Sequence, residues 1–266
     1  MNAELLLRFT LDCDRAYLYA HPERELTEAE QFRYQAVQDE RARGVPAQYI
    51  TGHQEFWGLD FIVTPAVLIP RPETEHLVET VLELARRLSP GGSEHASRKL
   101  RIADVGTGSG CIALALAKEI PGAEIHATDI SAPALEVARA NAARLGLEGR
   151  VRFHETDLLS GLAGDFDLVA SNPPYVGDSE EDQVQLEVRR FEPRKAVFAG
   201  PTGLEVIRRL IPQACAALRP GGWLVMEVSG TIADGVRREM QEWQEVKIRP
   251  DLQSIPRVVQ AQRPKG

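Results

Sequence analysis

The chain has 266 residues, enough for one large domain or for a large and a small one, and its 43% hydrophobic content is ordinary for a globular protein. A formal net charge of -8 argues against a surface built mainly to bind nucleic-acid phosphates. The longest apolar run, residues 111–117, is too short to span a membrane, and the N-terminus lacks a signal-peptide pattern, so we expect a cytoplasmic protein.

The first segment is predicted to be a small helical module. Residues 4–7 and 15–20 read as two short helices that break near Asp12. Thr27 and Glu30 have the spacing of a capping box, which predicts the start of a third helix, and a glycine at 44 with a proline at 46 predicts its end. We therefore expect residues 1–52 to form an N-terminal helical domain.

A hairpin and a long amphipathic helix are predicted next. Aromatic and β-branched residues in 53–64 indicate a β-hairpin, which we interpret as a connector. Pro72 and the acidic residues after it suit the first turn of a helix. The expected buried face of that helix comprises Leu77, Val78, Val81, Leu82, Ala85 and Leu88. A polar loop at 89–97 should lead into the first strand of the main sheet.

Strand-like and helix-like segments alternate from residue 100 onward. The predicted strands are 100–105, 124–128, 151–155, 166–170, 223–228, 246–249 and 257–261. The predicted helices are 110–118, 132–145, 204–218 and 232–243. This alternation predicts an α/β fold, a doubly wound and mostly parallel seven-stranded sheet with helices on both faces. We assign residues 65–266 to this domain.

A glycine-rich loop follows the first of these strands. It comprises Gly106, Thr107, Gly108, Ser109 and Gly110. Its three glycines allow tight turns and a close approach of the backbone to a ligand. The spacing departs from the dinucleotide-binding fingerprint, because Cys111 stands where that pattern requires glycine. A nicotinamide-dependent dehydrogenase is therefore the weakest of the functions that we consider.

Two further strand ends carry aspartates. Asp129 ends the second predicted strand, where its carboxylate can accept hydrogen bonds from both ribose hydroxyls of a nucleoside. Asp157 ends the third, where it can accept a hydrogen bond from an adenine amino group beside the apolar Leu158. Since the carboxyl ends of parallel strands meet at one edge of a sheet, we expect these residues to lie near the glycine loop.

The fourth strand ends in the most informative motif, which is Ser171-Asn172-Pro173-Pro174-Tyr175. Asn172 offers a side-chain carbonyl that accepts an N–H, and the prolines have no N–H of their own, so backbone carbonyls remain as acceptors. Tyr175 offers a flat face to a planar substrate. The motif alone also suits a turn that caps a strand. Together, the four strand ends predict an S-adenosylmethionine site. In this site a planar NH2 group would be held by hydrogen bonds while its nitrogen attacks an electrophile.

Cysteines and histidines show no grouping that favours a metal site. The three cysteines lie far apart without a Cys-x-x-Cys pair, so we expect neither disulfides nor zinc and interpret all three as small buried hydrophobic residues. The six histidines are scattered along the chain. We expect no metal in this protein.

Four stretches of the chain resemble the HemK/PrmC family, the glutamine methyltransferases of peptide chain release factors, within the class I S-adenosylmethionine-dependent methyltransferases. They are residues 44–52 with 55–58, residues 68–75, residues 171–175 and residues 189–194. The second stretch, Leu-Ile-Pro-Arg-Pro-Glu-Thr-Glu, is highly specific for this family. Asn-Pro-Pro-Tyr is shared with enzymes that methylate adenine and guanine amino groups, so it indicates the acceptor chemistry and not the substrate.

The resemblance implies both an activity and roles for site residues. It implies that the chain methylates N5 of the glutamine in the Gly-Gly-Gln loop of bacterial class I release factors, with S-adenosyl-L-methionine as cofactor. Gly106–Gly110 and Asp129 would hold the methionine and ribose parts, Leu158 would pack near adenine, and Asn172 would contact both cofactor and substrate. Residues 1–52 would recognise another face of the release factor.

The resemblance also bears on the N-terminus and on the mechanism. Family members usually have a further helix before the segment that matches residues 2–7, so we expect either a start assigned downstream or a shorter module. For the reaction, we hypothesise that the Asn172 side-chain carbonyl and the Pro173 backbone carbonyl accept the two N–H bonds of the acceptor amide. No metal or covalent intermediate is required, and the sequence offers no obvious general base beside Asn172.

Several alternatives stay open at this level. The strongest is an amino-methyltransferase of adenine or guanine in DNA or ribosomal RNA, which the acidic balance disfavours. A glutamine of a ribosomal protein is a related substrate, and a non-catalytic module that retains the fold is a candidate from another class. With the release factor as partner, we expect no direct nucleic-acid contact, no membrane association and a monomer.

Overall fold

The computed structural model of the chain describes residues 2–88, 99–162 and 164–265, so the polar loop predicted at 89–97 lies outside the described residues. The α-helices are α1 (Asn2–Leu11), α2 (Arg15–Ala20), α3 (Glu28–Ala42), α4 (Ala47–Thr51), α5 (Glu75–Leu88), α6 (Cys111–Glu119), α7 (Ala132–Arg144), α8 (Leu186–Phe191), α9 (Arg194–Val197), α10 (Glu205–Ala217) and α11 (Ala233–Glu239). The strands are β1 (His53–Phe56), β2 (Leu59–Ile62), β3 (Arg101–Val105), β4 (Glu124–Asp129), β5 (Val151–Glu155), β6 (Phe166–Ser171), β7 (Val176–Gly177), β8 (Phe198–Gly200), β9 (Leu218–Glu227), β10 (Gln244–Pro250) and β11 (Pro256–Gln262). Two 3₁₀ helices span Pro72–Thr74 and Asp178–Gln183.

The N-terminal helices α1 to α4 follow the predicted breaks, and α1, α3 and α4 pack on one another. Asp12, at a φ of 49°, interrupts the chain between α1 and α2. At the start of α3, the Thr27 hydroxyl accepts the Glu30 N–H at 3.3 Å, and the Glu30 carboxylate accepts the Thr27 N–H at 2.9 Å. The predicted capping box is therefore present.

The predicted hairpin is formed by the antiparallel strands β1 and β2. Phe56 and Phe61 are buried beneath it and meet edge to face, with ring centroids 6.2 Å apart. Asn141 of α7 is fully buried, and its side chain accepts the Ile62 N–H at 2.7 Å and donates to the Ile62 carbonyl at 3.0 Å. These two hydrogen bonds fix the hairpin to the large domain.

The main sheet has seven strands in the order β10-β11-β9-β6-β3-β4-β5. The strands β9, β6, β3, β4 and β5 are mutually parallel, and β11 is antiparallel to β9 and β10. The predicted mostly parallel α/β sheet is thus confirmed. The chain runs from β3 outward through β4 to β5 and then returns to β6 on the other side of β3. This reversal opens a crevice at the carboxyl ends of β3 and β6, the place where such sheets bind ligands.

Alternating residues of the central strands face two apolar clusters. Ile102 and Leu168 belong to the cluster that includes α5 and α6, whereas Ala103 and Val169 belong to the cluster that includes α10 and α11. On α5, the expected buried face is present except that Leu88 is only half buried, and Leu84 joins it. Both sheet faces are therefore covered by helices, as the alternation predicts.

Several sequence-based bounds are corrected by the structure. The segment at 72–74 is a 3₁₀ turn, and the α-helix begins only at Glu75. Strand β9 begins at Leu218 and not at 223, because β6 pairs with Leu218 and again with Trp223 across a bulge that contains the Pro-Gly-Gly sequence. Helix α11 ends at Glu239, earlier than predicted. Of the three cysteines, Cys111 is buried, while the other two are half buried.

The segment between β6 and α10 carries structure that the sequence analysis missed. It contains β7, the second 3₁₀ helix, α8, α9 and β8, and the two short strands pair in parallel. Each element has two to six residues, which is too short for a hydrophobic period to be recognised. Within the described ranges, no helix combines the length and the apolar character needed to cross a bilayer.

Candidate active site

A cavity of about 500 Å³ opens at the carboxyl ends of β3, β4, β5 and β6. The predicted site residues that line it are Gly106, Thr107, Gly108, Ser109, Asp129, Asp157, Leu158, Asn172 and Pro174. Gly110, Pro173 and Tyr175 lie next to lining residues in the chain but outside the lining itself. The structure thus brings the four predicted strand ends to one cavity.

The three glycines of the loop serve two different purposes. Gly106 and Gly108 have φ values of 73° and 54°, and a Cβ added to either would meet no heavy atom within 4 Å. Their backbone therefore faces open space, as a site for a closely approaching ligand requires. Gly110, with a φ of 83°, instead leaves only 3.2 Å between an added Cβ and Ala138 Cβ of α7. Its role is to let α6 and α7 pack closely.

A completely buried aspartate organises the loop from below. Asp104 at the end of β3 accepts hydrogen bonds through Oδ2 from the Thr107 hydroxyl at 2.6 Å and from the Ala113 N–H at 3.1 Å. Burial is the main cause that raises the pKa of Asp104 to about 7. In the described part of the chain, Asp104 Oδ1, Ser109 Oγ and Thr128 Oγ1 are buried and have no hydrogen-bond partner. Of these three residues only Ser109 lines the cavity, and its free hydroxyl beside the open glycine backbone fits the charged amino-acid end of S-adenosylmethionine.

The two predicted nucleoside-binding aspartates differ in their surroundings. Asp129 accepts the Gly108 N–H through Oδ2 and the Ser131 N–H through Oδ1, each at 2.9 Å, and burial raises its pKa. Asp157 is more exposed and forms an ion pair with Arg209 of α10 at the rim of the cavity. Each carboxylate retains lone pairs beyond these contacts, so each can accept further hydrogen bonds. Their ligand-binding roles stay predictions.

Asn172 is held by a buried hydrogen-bond network that sequence reasoning missed. Its Nδ2 donates to Thr74 Oγ1 at 3.2 Å, and the Thr74 hydroxyl donates to Glu227 Oε2 at 2.6 Å. The Tyr175 hydroxyl donates to the other oxygen, Glu227 Oε1, at 3.1 Å. Glu227 ends β9 and is almost fully buried, and this burial raises its pKa. An acidic residue at the end of the apolar run 223–226 was the available signal in the sequence.

This network also includes the hydroxyl of Tyr175. Its hydroxyl points to Glu227, and its ring packs against the apolar cluster that includes α10 and α11. Burial is the main cause that raises its pKa. The structure therefore places Tyr175 as a support beneath the motif, and its stacking on a substrate stays a prediction.

Three stretches that carry the sequence resemblance converge beside the cavity. Glu192, which is buried, accepts the Ile69 N–H at 3.1 Å and forms an ion pair with Arg71. The Tyr49 hydroxyl, which comes from the first stretch, donates to the Val67 carbonyl at 2.6 Å. The wall segment at 66–74 is thereby tied to the N-terminal helices on one side and to α8 on the other. These contacts hold the wall segment beside the cavity.

Two of the histidines, His126 and His154, take part in local packing between the neighbouring strands β4 and β5. His126 of β4 lies 3.0 Å from His154 of β5 between ring nitrogens, and its other nitrogen lies 2.8 Å from Glu124. The two rings stack nearly parallel, with centroids 5.1 Å apart. Among the residues that the structure describes, no three side chains of His, Cys, Asp or Glu lie together where they could hold a metal ion.

Comparison with known proteins gives matches over the whole length of the chain. Residues 1–52 match the family model for the PrmC N-terminal domain, and residues 85–190 match that for the methyltransferase small domain. The chain is 54% identical to the release factor glutamine methyltransferase of Koribacter versatilis over 266 residues, which cover 99% of this chain and 91% of the relative.

Solved structures with lower identity share the fold. The ribosomal protein L11 methylase from Lactobacillus delbrueckii subsp. bulgaricus superposes with a TM-score of 0.52 at 23% identity, covering 76% of this chain and 84% of that chain. The N-terminal domain of human METTL16 in complex with SAH superposes with a TM-score of 0.51 at 18% identity, covering 77% of this chain and 76% of that chain. Both comparisons support the methyltransferase fold that the strand order indicates.

Proposed function

Since this chain belongs to the family of release factor glutamine methyltransferases, we propose that it methylates N5 of the glutamine in the Gly-Gly-Gln loop of bacterial class I release factors. The methyl donor is S-adenosyl-L-methionine. The single observation that supports the acceptor chemistry is Asn172, which lines the same cavity as the glycine loop while its Nδ2 is engaged by Thr74. Its carbonyl is thereby left to accept an N–H.

We assign the cofactor side of the cavity to the ends of β3, β4 and β5. The open backbone at Gly106 and Gly108 would hold the amino-acid part, and Asp129 would accept from the ribose hydroxyls. Asp157 and Leu158 would border the adenine. When bound, the cofactor supplies an electrophilic methyl group on a sulfonium sulfur.

The protein must orient the acceptor amide, because its nitrogen lone pair is delocalised into the carbonyl. The Asn172 side-chain carbonyl and the Pro173 backbone carbonyl accept its two N–H bonds and hold the nitrogen in line with the methyl group. With the cofactor bound, the nitrogen lone pair would form the new N–C bond as the bond from the methyl group to the sulfonium sulfur breaks, and one N–H proton would then be lost to water. The same two carbonyls stabilise the positive charge that develops on the nitrogen.

Further proposals concern how the enzyme meets its substrate and where it acts. We propose that the N-terminal helices bind the release factor outside its Gly-Gly-Gln loop, because they are joined to the cavity wall through Tyr49. We further propose that the enzyme acts in the cytoplasm as a monomer and makes no direct nucleic-acid contact. The net charge of -8 supports the last point.

The experiment is mass spectrometry of the Gly-Gly-Gln peptide after the purified enzyme, a release factor and S-adenosylmethionine have been incubated together. We expect one added methyl group on the glutamine, and none on a release factor whose loop glutamine is replaced by asparagine. DNA, ribosomal RNA and ribosomal proteins are assayed in parallel, and methylation of one of these without methylation of the release factor would overturn the proposal.

The role of Asn172 is tested with Asn172→Ala. Loss of one carbonyl acceptor in the transition state should lower kcat at least about 100-fold, while the Kd for S-adenosylmethionine changes little. Gln241→Ala removes an exposed amide far along the chain and serves as the matched control, with activity expected to match that of the unmodified enzyme. Near-normal turnover of Asn172→Ala would remove Asn172 from the mechanism.

A further inference from the structure

We propose that Glu227 is a positioning residue, which acts through Thr74 to hold the Asn172 side-chain amide with its carbonyl toward the acceptor. The inference rests on the proposed role of Asn172 in gripping the acceptor amide. Thr74 lies in the wall segment before α5, Asn172 lies at the end of β6, and Glu227 lies at the end of β9. Three separate parts of the chain therefore meet in one line of hydrogen bonds.

The direction of these hydrogen bonds is set by the single hydroxyl proton of Thr74. A threonine hydroxyl has one proton to donate. The Thr74 proton is given to Glu227 Oε2 at 2.6 Å, so toward Asn172 the same oxygen acts only as an acceptor. Asn172 must then present its NH2 to Thr74, and its carbonyl takes the opposite direction. The orientation of an amide, whose two ends have nearly the same shape, is thus decided by a carboxylate two hydrogen bonds away.

Both oxygens of Glu227 are arranged as acceptors. Oε2 takes the Thr74 proton and Oε1 takes the Tyr175 proton. The charged groups that act on this carboxyl are Arg257 of β11, which favours its ionised form, and Glu73 of the 3₁₀ turn, which opposes it. The Cys111 thiol is a further titratable neighbour. Burial raises the pKa of Glu227, while its two hydrogen-bond donors and Arg257 favour the ionised carboxylate.

Reversal of this line would oppose the reaction. If Oε2 carried a proton and donated it to Thr74, the Thr74 proton would be released from Glu227 and could be donated to the Asn172 carbonyl in place of the present contact. The Asn172 NH2 would then face the acceptor, and two N–H groups would oppose each other. The ionised form of Glu227 therefore favours a methyl-accepting group that donates hydrogen bonds, such as an amide NH2. It disfavours a carboxylate in that place.

The test compares Thr74→Val with Thr74→Ser. Valine keeps the shape of threonine but removes the hydroxyl, so Asn172 loses its anchor and rotates freely. We expect kcat to fall about tenfold or more, as the loss of one buried hydrogen bond implies, with the Kd for S-adenosylmethionine unchanged. Serine retains the hydroxyl and should restore most of the turnover. A purely structural role would lower the Tm without this split between kcat and cofactor affinity.

A second measurement uses Glu227→Gln, which keeps the shape and has no titrating carboxyl. The kcat of the unmodified enzyme should fall on the acid side as Glu227 takes up a proton, and this part of the pH profile should be absent in Glu227→Gln. If Thr74→Val does not fold, this profile decides the question. Unchanged kcat in Thr74→Val, or an acid limb that persists unaltered in Glu227→Gln, would overturn the inference. Absence of glutamine methylation by the unmodified enzyme would instead overturn the proposed function, so the two failures are distinct.

Discussion

Replacement of Asp104 by asparagine should change how the stability of the protein depends on pH. Asp104 is fully buried under the glycine loop, and burial raises its pKa from 3.8 to about 7. An unfolded chain releases this proton near pH 4, whereas the folded chain holds it until about pH 7. Between these values the folded state binds more protons, so the free energy of unfolding falls as the pH rises.

The size of the effect follows from the same two values. Each pH unit between them is worth about 1.4 kcal/mol, so the contribution of Asp104 to the free energy of unfolding declines by about 4 kcal/mol at most. Above about pH 7 the decline ends, because both states have lost the proton. Asp104→Asn has no proton to release at this position. Its free energy of unfolding relative to the original protein should therefore rise across this window and then become constant.

The assay is urea denaturation of the cofactor-free protein and of Asp104→Asn at a series of pH values from 4 to 8. Comparing the two proteins cancels the other titrating groups. Asp182→Asn is the control, because that side chain is 99% exposed and its ion pair with Arg189 lies at the surface, where such pairs are worth about 1 kcal/mol or less. A difference between the proteins that does not vary with pH would refute the reasoning.

Two other substitutions test the frame around the acceptor motif. Gly203→Ala places a Cβ 2.5 Å from the Tyr175 carbonyl oxygen and should displace the motif, lowering kcat more than cofactor affinity. Gly161→Ala has the same φ of 77° with open space around it, so equal effects of the two on kcat would contradict the steric explanation. Arg71→Ala leaves the buried Glu192 without its ion-pair partner and should lower the free energy of unfolding by about 2 kcal/mol in chemical denaturation. Adding Glu192→Gln to Arg71→Ala should restore part of the lost free energy of unfolding. A loss below about 0.5 kcal/mol in Arg71→Ala alone would show that the ion pair is solvated.

Features encoded locally in the sequence could be predicted. The central strands are apolar runs bounded by turn residues, and the residues that end them, such as Asp129 and Asn172, follow those runs directly. Their meeting at one cavity follows from the geometry of parallel strands and needs no knowledge of distant contacts. The resemblance of 68–75 to a known family added the substrate class.

Features that depend on distant partners could not be predicted. Thr74 and Glu227 are 153 residues apart, and Arg71 and Glu192 are 121 residues apart, so no local spacing connects either pair. The short elements between β6 and α10 take their form from packing and not from their own periodicity. For the same reason the sequence predicted a flat face of Tyr175 for a planar substrate but not the hydrogen bond from its hydroxyl to Glu227.

The hydrogen-bonded line from Glu227 through Thr74 to Asn172 also sets when the chain can become active during synthesis. Glu227 leaves the ribosome well after Asn172 and long after Thr74, and β9 must pair with β6 before its carboxylate reaches the other two. Contacts between residues this far apart in the chain form late in folding, because the entropy of closing the long loop is lost before the contacts can stabilise the chain. The acceptor grip is therefore completed only when most of the sheet has assembled. Methyl transfer in this enzyme reports on a finished fold, and a nascent chain that ends before β9 lacks the residue that orients the amide.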